Sequence, residues 1–489
     1  MMKRLTGLDG ISLHGETAVM PTHVMAVLFC DSTVLGDLTA GAVARKLAEN
    51  ASATMRFRQR LLTNPVGMGQ PSWVEDPEFD VARHLHRVRL PAPGTMNELA
   101  LLVGQLHQQR LSRDRALWEA WVVQGLNDGR LVVVIKFAHA MSDGVGAVTA
   151  LLPELMGADL EHQHRRAAEG NPTRMPAAPA RVHDFVEEIA SNTAAAVRIA
   201  RRATPRAVEA AMTALRGGTR RRLPAAVLQQ GISDPDASVP RTRLNDPLTP
   251  RRTVAFAEVA MDDLRAITEA FGVTVNDVFL TATTSAVRRW LDTYDTVPAQ
   301  PLRTFMPIST RSADMSKISN SWSPTLVRLP VQLADPVDQL ADIHAATSRI
   351  KARRRAVLPI NLGDVIDLAP PMVIGLAAEL YTGLKLSRLH SPLAHLVTSN
   401  VPGPQNEFRC AGAGVLAAFP FAPLCEGSNL NVTAVSYNGK FAVGLTACPD
   451  NVDHVESVAR SFEAVVAELR MSAQQEAGHQ REVALSETA

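Results

Sequence analysis

An imidazole takes up and returns a proton near neutral pH more readily than any other side chain, because its free pKa is about 6.5. His139 stands where that chemistry can be staged. It follows shortly after a run of apolar and β-branched residues, 131–135, that reads as a buried strand. Asp143 and Gly144 come four and five positions later, and an apolar pattern of helical period begins behind them. A strand end, a turn and a helix start therefore gather one imidazole, one carboxylate and one conformationally free glycine. The same residues also fit a plain strand-turn-helix joint, with a core-facing His and an Asp that caps the helix.

The surrounding chain alternates strand and helix signals, the pattern of an α/β protein. Helical periodicity marks residues 38–49 and 99–111. Strands are expected over 118–126 and 131–137, joined at Asn127-Asp128-Gly129, so His139 emerges from a hairpin. Residues 1–160 read as one mixed α/β domain. Residues 161–250 change character: Pro, Gly and Arg are dense and large aliphatic residues are few, as in a long, partly mobile connection holding one or two helices. The helical part, 185–215, carries Arg198, Arg201, Arg202 and Arg206. Such a basic helix can lie on anionic lipid, or it can be a solvated face packed on the protein body.

Residues 251–470 read as a second α/β domain. It opens with a strand over 254–261 and a helix over 262–271 stopped by Gly272. Thr274 and Asp277 then have the spacing of a capping box for the next helix. A strand over 302–308 and a basic amphipathic helix over 337–355 follow. The clearest hairpin spans 428–448 and turns at Asn438-Gly439. A last helix is expected over 455–471, and 471–489 reads as a polar, disordered tail. Two apolar patches, 370–384 and 412–424, lack a clean amphipathic stripe. They fit a tunnel wall, a lipid-facing surface or ordinary core.

Composition excludes several functions. A net charge of +1 over 489 residues carries no footprint for nucleic acid. Cys30, Cys410, Cys425 and Cys448 form no CxxC pair and no Cys/His cluster at zinc spacing. A reduced, cytosolic setting without a metal is therefore expected. The first residues lack the apolar core of a secretory signal. No stretch supplies the roughly 20 uncharged apolar residues that span a bilayer, so any membrane contact is expected to be peripheral.

An ordered set of motifs resembles the bacterial wax ester synthase/acyl-CoA:diacylglycerol acyltransferases. The opening LDG...E...MPTHV resembles that family's start. Ala116-Leu117-Trp118 is similar to its PLW motif, with Ala for Pro. Residues 138–144, AHAMSDG, are similar to the HHxxxDG motif of acyl-CoA-dependent acyltransferases, with Ala138 where the first His is found. VNDVFLTA (275–282) is similar to the Asn-Asp motif, and MPISTR (306–311) to the Pro-Val-Ser motif with Ile for Val. SNVPGP (399–404) matches well, and GSNLNVTAVSYNG follows in its place. The resemblance spans nearly the whole chain, and its specificity lies in the order of the set. It implies the fold of the chloramphenicol acetyltransferase and condensation-domain superfamily. Two similar α/β halves, with mixed sheets flanked by helices, then enclose an active-site tunnel at their interface.

The resemblance also implies an O-acyltransferase that moves a long-chain acyl group from acyl-CoA to a fatty alcohol, a diacylglycerol or both. Acyl-CoA is the co-substrate and no further cofactor is needed. His139 would be the general base. Asp143 would either orient His139 as in a triad or, by the family's example, point away and fix the turn through an ion pair with Arg311. Asn276, at a helix start, would hydrogen-bond the oxyanion or the His region, or only open its helix. Gly144, Trp118 and Asn400 are the substrate-binding candidates. Gly144 gives the chain room to enter the helix. Trp118 is either core or substrate wall. Asn400 lies in a crossover loop stiffened by Pro402, Gly403 and Pro404. Neighbouring side chains on a strand face opposite ways, so residue 138 is expected to face away from a tunnel that His139 faces, and activity to survive the Ala. Two rivals remain: a carrier-protein-dependent condensation or polyketide-ester acyltransferase, and a non-catalytic lipid-droplet binding protein, which Ala138 alone favours. The expected location is cytoplasmic, peripheral on the inner face of the membrane or on lipid droplets.

Overall fold

The computed structural model describes residues 3–5, 7–31, 40–63, 70–142, 144–157, 239–309, 322–356, 371–404, 407–410 and 413–487. Most of the connection between the halves, with the helix expected over 185–215, lies outside the described residues, as do Asp143 and Arg311.

Two six-stranded mixed sheets carry the chain. The first is built from β2 (His23–Cys30), β5 (Leu85–Arg89), β6 (Trp118–Gln124), β7 (Leu131–Ala138), β12 (Arg409–Cys410) and β13 (Ala413–Phe421). Their spatial order is β12-β13-β2-β7-β6-β5. Every residue of β7 from Leu131 to Phe137 is buried, which explains the continuous apolar run in place of an alternating one. β6 and β7 form the expected hairpin, pairing Trp118 with Phe137. Its turn closes where Asp128 accepts a hydrogen bond from the Arg130 amide at 3.0 Å and Gly129 takes a φ of +78°.

The second sheet contains β8 (Thr253–Ala260), β9 (Leu302–Ser309), β10 (Trp322–Leu329), β11 (Leu396–Pro402), β14 (Leu430–Tyr437) and β15 (Lys440–Ala447). They lie in the order β10-β9-β11-β14-β15-β8. β14 and β15 form the hairpin read at Asn438-Gly439. Both turn residues have positive φ, 47° and 75°, as a type I′ turn requires. A small sheet of β1 (Lys3–Arg4), β3 (Gln59–Leu62) and β4 (Ser72–Glu75) completes the strands.

Apart from short 3-10 turns, nine helical segments frame these sheets among the described residues. They are α1 (Gly7–His14), α2 (Ala40–Ala53), α3 (Met96–Gln108) and α4, which covers 144–156 and widens into a π turn over Ala147–Leu151. After the connection come α5 (Met261–Phe271), α6 (Val275–Tyr294), α7 (Pro336–Ala356), α8 (Pro371–Gly383) and α9 (Val455–Glu487). Gly272 ends α5 in the left-handed conformation, and the Thr274–Asp277 capping box opens α6. α9 corrects the expected tail. The helix continues past Met471 to Glu487, because Ala, Gln, Glu and Arg are strong helix formers, no Pro interrupts them, and Gly478 is carried within the helix.

The halves of the sequence are not the two sheets. β12 and β13 come from the second half, yet β13 pairs antiparallel with β2 and completes the first sheet. The apolar patch 412–424 is thus mostly core strand. The sheets are pinned together where Phe256 of β8 meets Phe29, Phe419 and Phe421 edge-on, with centroids 6.2, 5.1 and 5.1 Å apart. Beside this cluster β15 passes so close to β13 that a Cβ on Gly444 would lie 1.8 Å from the Pro420 carbonyl oxygen. No other residue fits there.

Candidate active site

β7 ends at Ala138, and His139, Ala140 and Met141 form a turn closed by the Met141 amide donating to the Ala138 carbonyl at 2.9 Å. His139 is half-buried and lines a small cleft together with Ser12, Glu16, Thr22, His23 and Arg113. Three residues past the turn, α4 starts at Gly144. A Cβ on Gly144 would lie 3.0 Å from a methyl of Val401, on β11 of the second sheet. The motif of the first sheet therefore abuts the SNVPGP segment of the second, and the glycine keeps that approach open.

The expectation for Ala138 needs correction. Ala138 lines the same cleft as His139. Side chains alternate only while the chain stays extended, and the strand stops at Ala138. The residue directly opposite Ala138 in the sheet is His23 of β2, which lines the cleft as well. A second imidazole thus stands beside the cleft, contributed by the neighbouring strand.

His23 is fully buried and its ring lies 4.9 Å from that of His107 on α3, centroid to centroid. Among the described residues, no ring nitrogen of either has a well-formed hydrogen bond. Burial, and next the charges of His107 and Lys136, hold His23 well below the ordinary imidazole range. Burial and then the Arg252 guanidinium bring His107 down to about 3. Both rings are neutral at physiological pH. Lys136 on β7 is buried too, donates to the Leu106 and Gln109 carbonyls at 3.2 and 3.0 Å, and approaches Glu119 at 3.7 Å. Its burial lowers its pKa, with Glu119 opposing.

The mouth of the cleft is fixed by the end of α1. Arg113 pairs with Glu16 at 2.8 Å and donates to the Leu13 carbonyl at 2.6 Å, while Thr22 donates to the Ser12 carbonyl. Arg252 donates from the start of the second half to the Val19 carbonyl, tying this segment across the joint.

Other sequence candidates fall at different distances from this cleft. Asn276 is half-buried at the first turn of α6, and its amide nitrogen contacts the Met306 sulfur at 3.8 Å. The Asn-Asp motif and the MPISTR motif therefore touch. The neighbouring Asp277 is wholly buried. Burial works to raise its pKa, but hydrogen bonds from His344, Thr347 and Thr274 outweigh it and hold the carboxylate below its usual range. Asn400 is not in a loop, as the sequence reading had it, but on β11, paired with Ala434. β11 pairs with β9 only at Leu396 and Val397, so Pro402 at its far end interrupts no ladder on that side. Trp118 sits in the core, donating from its indole nitrogen to the Phe57 carbonyl at 2.8 Å and stacked on His84. Its neighbour Leu117 lines the cleft instead.

The comparisons with known proteins bear on the family and the fold. Residues 5–279 match the wax ester synthase/diacylglycerol acyltransferase catalytic domain, and residues 318–470 match the C-terminal domain of the same family. The chain belongs to the wax ester synthase/diacylglycerol acyltransferase family. A provisionally named diacylglycerol O-acyltransferase of Mycobacterium tuberculosis H37Rv is 32% identical over 474 residues, covering 96% of this chain and 90% of its own. The solved wax ester synthase/diacylglycerol acyltransferase of Marinobacter aquaeolei VT8 superposes with a TM-score of 0.66 at 25% identity, covering 97% of this chain and all of its own. The first condensation domain of the calcium-dependent antibiotic synthetase shares the fold, with a TM-score of 0.54 at 15% identity over 97% of this chain and 96% of its own.

For this member of the wax ester synthase/diacylglycerol acyltransferase family, the two-sheet α/β fold is thus established, with Gly144, five residues after His139, against the second sheet. His23, Glu16 and Arg113 escaped the sequence reading as site residues. The MPTHV motif contained His23, but nothing local to it signals that β2 lies beside β7. No group of three or more His, Cys, Asp or Glu side chains among the described residues is placed to hold a metal ion.

Proposed function

We propose that this protein transfers a long-chain acyl group from acyl-CoA to the hydroxyl of a fatty alcohol or a diacylglycerol, with His139 as general base. The observation that carries the reading is an imidazole set in a cleft at the end of β7, with Gly144 of the same motif against Val401 of β11. In this reaction His139 accepts the hydroxyl proton as the oxygen attacks the thioester carbonyl. The C–O bond forms and the carbonyl becomes an oxyanion, for which the Asn276 amide is the proposed donor. Collapse breaks the C–S bond, and His139 returns its proton to the departing thiolate. No covalent enzyme intermediate is needed. Asp143 acts as a positioning residue for the turn, through Arg311 or directly on His139. Such acceptors are insoluble in water, so the enzyme meets them at a membrane or lipid-droplet surface.

The test is thiol release from palmitoyl-CoA with hexadecanol or dioleoylglycerol as acceptor. His139→Ala should lose about 10² to 10⁴ in rate while keeping its melting temperature. Near-full turnover in the folded variant would sink the assignment. Release that requires an acyl carrier protein in place of CoA would favour the condensation-type rival.

A further inference from the structure

Large apolar side chains exposed singly need no explanation, but contiguous ones do. Of the twelve such side chains exposed among the described residues, seven fall between Met372 and Leu393. On α8, Met372, Val373, Leu376 and Leu380, with Leu384 just past its end, recur at helical spacing and share one arc of about 120°. The inward arc carries Gly375, Ala378 and Thr382 instead. The helix is thus greasier on its outer face than on its inner one, the reverse of a helix whose environment is water. Glu379, at the margin, is the single charge on the outer arc.

This face is presented on a rigid mount. Behind α8 the Leu386–Leu389 turn is held by Arg241, which donates to the Ser387 and His390 carbonyls at 2.8 and 2.7 Å, and by Ser387 donating to Glu426 at 2.7 Å. Tyr381 and His390 share a 2.7 Å hydrogen bond that closes the platform. The turn adds Leu389, 79% exposed, and two exposed cations, Lys385 and Arg388, neither of which has an acidic partner among the described residues. With thirteen residues, α8 is too short to span a bilayer, and no helix of the described residues is long and apolar enough to do so. An apolar arc bordered by unpaired cations matches the two layers of an anionic phospholipid surface, acyl chains beneath phosphates.

The position of α8 links that surface to the cleft. α8 packs on α1, where Gly375 lies against the His14 carbonyl, and the last turn of α1 supplies Ser12 and Leu13 to the cleft that holds His139. We infer that the outer face of α8 and the cations of the following turn seat the protein on an anionic phospholipid surface, with the mouth of the His139 cleft one helix away. The role of this seat in catalysis rests on the acyl-transfer reading above; the docking itself does not.

Co-sedimentation of the full-length protein with phosphatidylcholine vesicles, with and without phosphatidylglycerol, tests the inference. Leu376→Glu/Leu380→Glu should weaken binding to both kinds of vesicle by about tenfold or more. Lys385→Glu/Arg388→Glu should remove the preference for phosphatidylglycerol, again by about tenfold or more. All four side chains are exposed, so melting temperatures should not change. Turnover of an acceptor embedded in vesicles should fall in step with binding, and turnover of a short water-soluble alcohol should not. Wild-type vesicle binding in either double variant overturns the inference. So does a wild-type protein that ignores vesicles but self-associates in sedimentation velocity runs until Leu376→Glu/Leu380→Glu separates it, which would make the face an interface between copies. Vesicle binding that follows this pattern in a protein that acylates neither acceptor would support the docking surface and refute the acyl-transfer reading.

Discussion

Acid should weaken this fold through two buried imidazoles before its carboxylates are reached. His107 is held at about 3 and His395 at about 4, both chiefly by burial. In the unfolded chain each titrates near 6.5. Between those values the unfolded chain binds protons that the folded chain refuses, so stability is complete above pH 6.5 and drains away as the pH falls toward the folded values. From about pH 7.5 to about pH 5 each imidazole costs about 2 kcal/mol, roughly 4 together, and His23 adds in the same direction. Carboxylates are largely ionised throughout this window, so the histidines dominate it. Urea unfolding measured across the range gives the slope. His107→Leu should flatten it by about 1.4 kcal/mol per pH unit below 6.5, whatever it does to stability at neutral pH. A slope identical to that of the wild type would show that His107 is solvated or paired in the native protein, and the neutral pair with His23 beside the cleft would have to be given up.

Further outcomes follow from the joint of the two sheets. Ala138→His, which places a third imidazole against His23 and His139, should cost about 1–3 kcal/mol by overpacking and lower turnover; a hundredfold gain in thiol release without loss of melting temperature would contradict this. Gly144→Val should force Val401 aside, lowering stability by about 1–3 kcal/mol and acyl transfer with it, as read by calorimetry and thiol release. Asp277→Ala should leave Thr274, His344 and Thr347 without their shared acceptor and cost about 2–3 kcal/mol in urea unfolding, more than Asn276→Ala on the same turn.

What could be read from the chain, and what could not, divides along the range of the interactions. The Asn438-Gly439 hairpin, the stop at Gly272 and the Thr274–Asp277 box were legible because turn and cap chemistry is settled within a few residues. The placement of β13 was not, since an apolar run carries no record of which strand it will meet. The same limit hid His23, whose role comes from standing opposite Ala138, more than a hundred residues away in the chain. Ala138 itself was misread for a local reason: the alternation rule was carried one residue past the end of its strand. SNVPGP was read as a loop because Pro and Gly usually punctuate. Here they sit at a strand end, where Gly403 passes 2.2 Å, measured from a hypothetical Cβ, from the Ser436 carbonyl oxygen. Asp143 and Arg311 lie outside the described residues, so their pairing remains a proposal carried by the resemblance.

The cleft is lined from the first half alone, but the groups proposed for the reaction come from both halves, and this bears on how it would be controlled. His139 is delivered by the first sheet. Gly144 is crowded by Val401 of the second, and Asn276 leans on Met306 of the second. The relative placement of these groups therefore depends on the contacts that dock one sheet on the other: the Phe256 cluster, the passage of Gly444 under Pro420, and the Arg252 hydrogen bond to Val19. None of these residues lines the cleft, yet together they hold the first sheet, which carries His139, against the second, which carries Asn276. A general base contributes to rate only while it stays within hydrogen-bond reach of the proton it removes, and a misplacement of about 1 Å can cost a hundredfold. The crossing of β13 into the first sheet serves the same end. It threads the second half of the chain through the first, so that the sheets cannot drift apart without breaking a ladder of hydrogen bonds. On that account, if His139 and Asn276 act on one substrate as proposed, the strand swap that sequence could not foresee is what would hold them in register for proton transfer.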